Sequence, residues 1–405
     1  MIHRSRVLLC CEQYPPSVGG VQEVMRQIAE RLAQRGFAVV VATGTHPQRP
    51  PNAVMNGVQV VSFAITGNRV KGMAGPVADY QQFLKDGHFD AVLIKAAQQW
   101  TFDAAVDVVE ELSARKVFIP CGFSELGNAR YSEYFEQMPS WLRHFDALIF
   151  YADRYQDIEF ARSHGLKAIH LIPNGVDEGE FYNSANVDVS ESICERIGIA
   201  KGNDVILSVG SMIMAKGHWE VLGAFRKARL TRPTTLVLNG NVPDAGTLAK
   251  SKRLLKHVLT GRWPLPLLIA SVNRVPGKRV VVTDLPRDQL LQLFRAADLF
   301  VFASHVAYSP LVLFEAAASG TPFISSDAGN SREIAAWTGG GTIVDKVKAD
   351  GRTPDSEYFA MAIEHALNDR TSLHTKGKAA RAAILANGFT WSRIVDAYSR
   401  IMGLE

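Results

Sequence analysis

In SPLVLFEAAASG, residues 309–320, a single carboxylate, Glu315, stands on an otherwise apolar helical pattern. Ser309 and Pro310 read as an N-cap followed by proline at the first helical position, and Gly320 reads as the stop. A helix begun this way leaves the N–H groups of Leu311 and Val312 unspent and offers them to an anion. An ionised side chain on such a helix needs partners, because an unpaired buried charge is costly. Glu315, about one turn further in, could accept both hydroxyls of a ribose as a charge-assisted pair. The plainer alternative is a core helix whose glutamate pairs with a nearby Lys or Arg.

Two other stretches invite a phosphate. GSMIMAKG, residues 210–217, places Lys216 after a strand-like run, where its ammonium can neutralise a diphosphate as a point charge. A surface lysine ahead of a helix is the alternative. EQYPPSVGG, residues 12–20, brings Gly19 and Gly20 to the start of a helical pattern, letting the backbone pass close to a ligand. An ordinary glycine turn would look the same. Neither stretch is a dinucleotide G-x-G-x-x-G nor a Walker A loop, and H-E-x-x-H, G-x-S-x-G and D-x-D are absent. GFSELG at 122–127 has the wrong spacing for a nucleophile elbow. The eleven histidines are scattered, with His218 and His305 nearest the candidate site, and no Cys/His cluster offers a metal ligand set.

The elements that must hold these residues alternate between short β-rich runs and helical patterns. RVLLCC (6–11), FAVVVAT (37–43), VQVVSF (58–63), FDAVLIK (89–95), KVFIP (116–120), FDALIFY (145–151) and AIHLI (168–172) form a first series. In the helical pattern 20–36, Val21, Val24, Met25, Ile28, Ala29 and Leu32 share one face. A polar, turn-rich stretch at 173–192 interrupts the rhythm. It resumes with DVILSVG (204–210), TTLVLNG (234–240), KRVVVTD (278–284), DLFVFAS (298–304), TPFIS (321–325) and GGTIVD (340–345). Continuous aliphatic runs joined by helices imply parallel strands buried on both faces, hence two doubly wound α/β halves joined near residue 175. A ligand then belongs at the carboxyl ends of the strands, in the cleft between the halves.

Composition fits this reading. With 405 residues, 47% of them hydrophobic and 21% charged, the chain has room for two to three domains at roughly 150 residues each. A net charge of +4 argues against a dedicated nucleic-acid binder. Cys10 and Cys11 lie in an apolar run and Cys121 and Cys194 stand alone, which fits reduced thiols and a cytoplasmic setting. The first apolar run is too short for a signal peptide, and none approaches the ~20 residues of a membrane span. KSKRLLKHVLTGR, residues 250–262, is a basic amphipathic patch, either a solvated helix face or a phosphate or membrane contact.

Taken in order, several segments resemble one family. YPPSVGG with its helix and RGFAVVVAT, LIPNGVDEGEF, LSVGSMIMAKGHWEVLGAF, and LPRDQLLQLFRAADLFVFAS running into SPLVLFEAAASGTPF are similar to the retaining GT-B glycosyltransferases of family 4, the glycosyl transferases group 1. The resemblance implies two Rossmann-like, doubly wound parallel-sheet domains facing each other across a cleft. Residues 1–175 would bind the acceptor, with a closing helix in 389–405 packing back on them, and 176–388 would bind a nucleotide-diphosphate sugar. Lys216 matches the family's lysine on the donor phosphates, and Gly19 and Gly20 match the loop facing the diphosphate. Leu285 falls in the base-contacting loop. Glu315 matches the second glutamate of the E-x7-E motif, on the ribose. With Ser211, Ser309, Leu311 and Val312 these complete the expected donor site, which calls for no metal or other cofactor.

Three positions depart from the family pattern. Ala307 stands where the first glutamate of E-x7-E should be, beside the donor sugar, through natural divergence or a substitution that traps a bound donor. Ser211 replaces an arginine, and Cys121 takes the place of a histidine near the reaction centre. The implied activity is transfer of a hexose from a UDP- or GDP-sugar to a hydroxyl of a saccharide or lipid-linked acceptor. Its setting would be bacterial polysaccharide or glycolipid assembly, in the cytoplasm or at the inner face of the membrane. Two alternatives are a catalytically disabled protein that still binds nucleotide sugar and another GT-B enzyme, such as a sugar-nucleotide epimerase.

Overall fold

The run RVLLC becomes β1 (Arg6–Cys10), whose Val7, Leu8, Leu9 and Cys10 are fully buried. Such burial is expected of a parallel strand covered by helices on both faces. The computed structural model describes residues 4–182, 189–241, 264–351 and 353–404; the basic stretch 250–262 lies outside the described residues. The chain divides into two compact units, one of Met1–Asn174 with Thr390–Glu405 and one of Gly175–Phe389.

In the first unit β1 is followed by β2 (Ala38–Gly44), β3 (Asn52–Met55), β4 (Val58–Phe63), β5 (Thr66–Asn68) and β6 (Gly72–Ala74). Then come β7 (Ala91–Lys95), β8 (Arg115–Ile119), β9 (Ala147–Phe150) and β10 (Ile169–Leu171). Eight of these form one sheet in the order β10-β9-β8-β7-β1-β2-β4-β3. Strand order reverses at the centre: β1 pairs with β2 through Arg6↔Ala38 and with β7 through Val7↔Ala91, both parallel. The strands expected from sequence all pair in parallel; at one edge the additional β3 runs antiparallel to β4, with Met55 opposite Val58. Asn56 and Gly57 make that turn with φ of 49° and 81°, as the tightest hairpins require. A second antiparallel pair, β5 with β6, also escaped the pattern of apolar runs.

The helix Gly20–Gln34 buries Val24, Met25, Ile28, Ala29 and Leu32. Its outer side receives the closing helix Trp391–Ile401, which buries Trp391, Ile394, Val395 and Tyr398. Arg31 donates to Ser392 Oγ at 3.0 Å and Arg35 pairs with Asp396 at 2.7 Å, so charged ends clamp an apolar seam.

The second unit contains β11 (Asp204–Val209), β12 (Thr234–Asn239), β13 (Lys278–Thr283), β14 (Leu299–Phe302), β15 (Phe323–Ser326) and β16 (Gly341–Val344). All pair in parallel, in the order β13-β12-β11-β14-β15-β16. Here too the first strand is central, and order reverses between β11 and β14, which pair through Ile206↔Leu299 and Leu207↔Phe300. In an open α/β sheet of this order the crevice lies outside the carboxyl ends of the two strands flanking the reversal. Those ends lead into the Lys216 and Ala307 segments.

Candidate functional site

After β11 the chain makes the short turn Met214–Lys216 and enters the helix His218–Lys227. Gly217 joins them at φ 75°, and a Cβ there would overlap the Ala303 carbonyl and lie 3.1 Å from Ala303 Cα. Glycine is therefore required twice over, by its left-handed backbone and by the close approach of the segment after β14. The turn leaves Lys216 half-buried, and burial pushes its ammonium below the ordinary lysine value of 10.5. Among the described residues no carboxylate forms an ion pair with it. That is the state of a cation suited to receiving an anionic ligand.

The segment after β14 is tied to the same turn. His305 N–H donates to Ala215 O at 2.9 Å, and Ser304 Oγ lies 3.0 Å from the same carbonyl. Ser326 Oγ, at the end of β15, donates to Ser304 O at 2.6 Å. Further along, Asn330 N–H donates to Tyr308 O at 2.9 Å, and Gly329, at φ 61°, leaves no room for a Cβ against the carbonyls of Ala307 and Tyr308. Ala307 thus sits in a loop fixed from both sides. The His305 imidazole faces the buried Glu220 carboxylate at 3.1 Å, while His218 is fully buried with Nε2 3.0 Å from Gly210 O. Burial pushes the His218 imidazole down, so it serves as a neutral support for the turn.

The helix of Glu315 spans Leu311–Ser319, with Gly320 ending it at φ 79°. Its N-cap is Pro310, so the expected cap at Ser309 is corrected by one residue: Pro310 holds an extended ψ of 111° outside the helix. The N–H groups of Leu311 and Val312 have no hydrogen-bond partner among the described residues, as any first-turn amides must lack one within the helix. Glu315 is only 7% exposed, and Arg287 Nη1 lies 2.7 Å from its Oε1. The plainer alternative for Glu315, an arginine partner, is therefore present. Leu285 is held by Asn239, whose Oδ1 accepts from Leu285 N and Thr283 Oγ1, each at 2.9 Å. Leu285, Ala307 and Val312 all pack against one apolar cluster built around Phe302, Leu313 and Phe314. Ser211 follows Gly210 at the mouth of the turn, its carbonyl accepting from Ile213 N at 2.7 Å.

One unit accordingly holds Ser211, Lys216, Leu285, Ala307, Ser309, Leu311, Val312 and Glu315, while Gly19, Gly20 and Cys121 belong to the other. Gly19 caps the helix that Gly20 begins, with fully extended backbone, and the Pro15–Pro16 bond before it is cis. Cys121 takes φ 65° just after β8, and burial raises its thiol while Lys95 opposes the rise. Lys95 itself is 1% exposed, with Nζ 2.5 Å from Tyr151 Oη. Trp100 and Phe123 are core residues of this unit, both 1% exposed, because aromatic area of that size is buried whenever packing allows.

Sequence reasoning missed Arg287, Glu220, Asn239 and Gly329. Arg287 carried a signal: it is the first residue of the helix Arg287–Ala296, where the helix dipole disfavours a cation, so a specific anionic partner is implied. Among the described residues no His/Cys/Asp/Glu group is arranged to hold a metal ion, and no helix is long and apolar enough to cross a membrane.

Comparison with known proteins bears on the same segments. Residues 203–369 match the family model described as glycosyl transferases group 1, and residues 18–180 match that of glycosyltransferase family 4. The glycogen synthase of Mycobacterium tuberculosis is 26% identical over 98% of this chain and 94% of its own length. A D-inositol 3-phosphate glycosyltransferase of Xylanimonas cellulosilytica is 28% identical over 49% of this chain and 45% of its own. Among solved structures, sucrose-phosphate synthase from Thermosynechococcus elongatus superposes with a TM-score of 0.73 at 18% identity, covering 98% of each chain. HepE of Anabaena, in complex with UDP-glucose, gives 0.71 at 17% identity, covering 98% of this chain and 99% of that one.

Proposed function

Since the chain belongs to the group 1, family 4 glycosyltransferases and has their GT-B fold, we propose that it moves a sugar from a nucleotide-diphosphate sugar to an acceptor hydroxyl with retention at the anomeric carbon. The observation that carries this reading is the strand reversal of the second unit. Lys216, half-buried and without an ion pair among the described residues, follows β11, while the open amides of Leu311 and Val312 and the carboxylate of Glu315 follow β14.

The chemical problem is negative charge growing on the departing diphosphate. Lys216 and the amides of Leu311 and Val312 are positioned to stabilise that charge electrostatically, with no part assigned to a metal ion. Glu315 accepts the ribose hydroxyls, and the loop that Asn239 fixes through Leu285 meets the base. Gly19 and Gly20 are assigned to the diphosphate, and Cys121 to the acceptor side, by family resemblance alone. A UDP-sugar is the first donor to try, because HepE, a structural relative, was solved with UDP-glucose. Bacterial polysaccharide or glycolipid assembly is the proposed setting, with a saccharide or lipid-linked acceptor in the cytoplasm or at the inner membrane face.

Ala307 supports a second reading, a protein that grips nucleotide sugar without turning it over. Its methyl group packs against the same apolar cluster as Leu285 and Val312, where the family pattern places a carboxylate. Incubation with UDP-, GDP- and ADP-sugars, following nucleotide release and thermal shift, separates the two. Turnover supports the transferase. A shift without turnover, converted to turnover by Ala307→Glu, identifies a transferase disabled at one position, and a shift that stays silent after that change supports the binding role. No shift with any nucleotide defeats both readings.

A further inference from the structure

We propose that Arg287 is the positioning residue of the ribose site, orienting the Glu315 carboxylate and keeping it anionic for a nucleotide's cis-diol. The inference rests on the reading that Glu315 meets the ribose. Arg287 lies at the start of its helix, two residues after Leu285, with its guanidinium shared between two carboxylates. Nη1 is 2.7 Å from Glu315 Oε1, and Nη2 is 2.6 Å from Glu180 Oε2. Its planar fork lies 5.8 Å from the Phe181 ring centre. Glu180 and Phe181 hold the guanidinium from the other side, so it can in turn fix the Glu315 carboxylate, which a single flexible point charge does poorly.

The need for such a partner follows from burial. A carboxylate that is 7% exposed tends to take up a proton unless a cation faces it, and a protonated Glu315 would lose half its capacity to accept two hydroxyls. Elements packed on the Leu311–Ser319 helix bring few other charges to it. Glu180 belongs to the short helix Glu178–Tyr182, and Arg295 donates to its backbone carbonyl. Arg381, on the helix Arg370–Ala386, spends its guanidinium on the carbonyls of Ala318 and Phe181, both at 2.9 Å. The helix Ser331–Thr338 carries Glu333 and Arg332, the latter bound to Asp327 at 2.7 Å and facing Asp345 at 3.6 Å. Of these cations, Arg287 has its guanidinium within ion-pair distance of the Glu315 carboxylate.

The test measures dissociation constants of UDP, GDP and ADP for wild type, Glu315→Gln, Arg287→Met and Arg287→Lys, between about pH 8 and about pH 5.5. Each variant is expressed as a ratio to wild type at the same pH, which cancels titration of the ligand's own phosphate. Glu315→Gln should bind at least threefold more weakly with little pH trend in the ratio. Arg287→Met should bind about threefold more weakly at the alkaline end and more than tenfold at the acid end, as Glu315 protonates. Arg287→Lys keeps the charge, so its ratio should stay flat with pH. It loses the fork, so its preference for UDP over 2′-deoxy-UDP should fall at least threefold. A flat Arg287→Met ratio beside a weakened Glu315→Gln overturns the role of Arg287 and leaves the ribose reading standing. Should Arg287→Met not fold, full ribose preference in Arg287→Lys overturns it equally. Wild-type affinity in Glu315→Gln removes the ribose reading, and this inference with it.

Discussion

Replacing Gly217 with alanine tests the turn that presents Lys216. At φ 75° an alanine pays the left-handed penalty of an L-residue, roughly 1–2 kcal/mol, offset by about 0.4–1 kcal/mol from a less flexible unfolded chain. Gly339 is the internal control, since it has φ 66° and nothing within 4 Å of a built Cβ. Gly339→Ala should therefore cost about 1.5 kcal/mol or less. At Gly217 the added carbon overlaps the Ala303 carbonyl, and Ala303 Cα is 3.1 Å away, so backbone must yield on one side. Overpacking of that kind costs about 1–3 kcal/mol more, giving about 1–4.5 kcal/mol in all. Amide exchange read by mass spectrometry over β11 and β14 reports the opening free energy of this unit without requiring one transition for the whole chain. Nucleotide affinity should fall at least tenfold in Gly217→Ala and remain unchanged in Gly339→Ala. Equal opening energies for the two variants, within about 0.5 kcal/mol, would refute the close approach as the reason for glycine.

Further outcomes follow from buried ionisable groups. Lys216 carries its charge only below a value that burial has lowered from 10.5, so nucleotide binding should weaken as pH rises through the alkaline range; Lys216→Met should abolish that dependence, and a persistent one would assign it elsewhere. Lys95 is likewise pushed down from 10.5 by burial. The unfolded chain therefore binds more protons in that window, and stability should rise with pH towards 10.5. Lys95→Met should flatten the rise, as urea titrations across pH would show. Cys10 and Cys11, fully buried and pushed up to about 12, should resist a thiol reagent until the chain is denatured. Rapid labelling of both in the native protein would place β1 wrongly.

Much of the architecture was legible because its signals are local. Runs such as RVLLC, DVILSV and LFVF are too aliphatic for anything but strands buried on both faces, and they became β1, β11 and β14. The Asn56-Gly57 hairpin was legible too, as the commonest two-residue turn signal, but reading by apolar runs passed over it. The positions of Lys216 and Glu315 after their strands likewise follow from order along the chain. Sequence alone determined which aliphatic runs are buried parallel strands, that helices separate them, and which charged residues stand at strand ends, since each depends on neighbours a few residues apart.

Tertiary structure decided who meets whom. Nothing in PLVLFEAAAS says that Glu315 faces Arg287, 28 positions earlier, or that Glu180 holds the other side of the same guanidinium. Nor does the spacing of Ala215 and His305 reveal that a shared carbonyl ties the Lys216 turn to the Ala307 loop. The tie between Ala215 and His305 exists because strand order reverses between β11 and β14, bringing together loops some 90 residues apart at one end of the sheet. Charge partners across such distances are fixed by the winding of the sheet, and no periodicity along the chain encodes them.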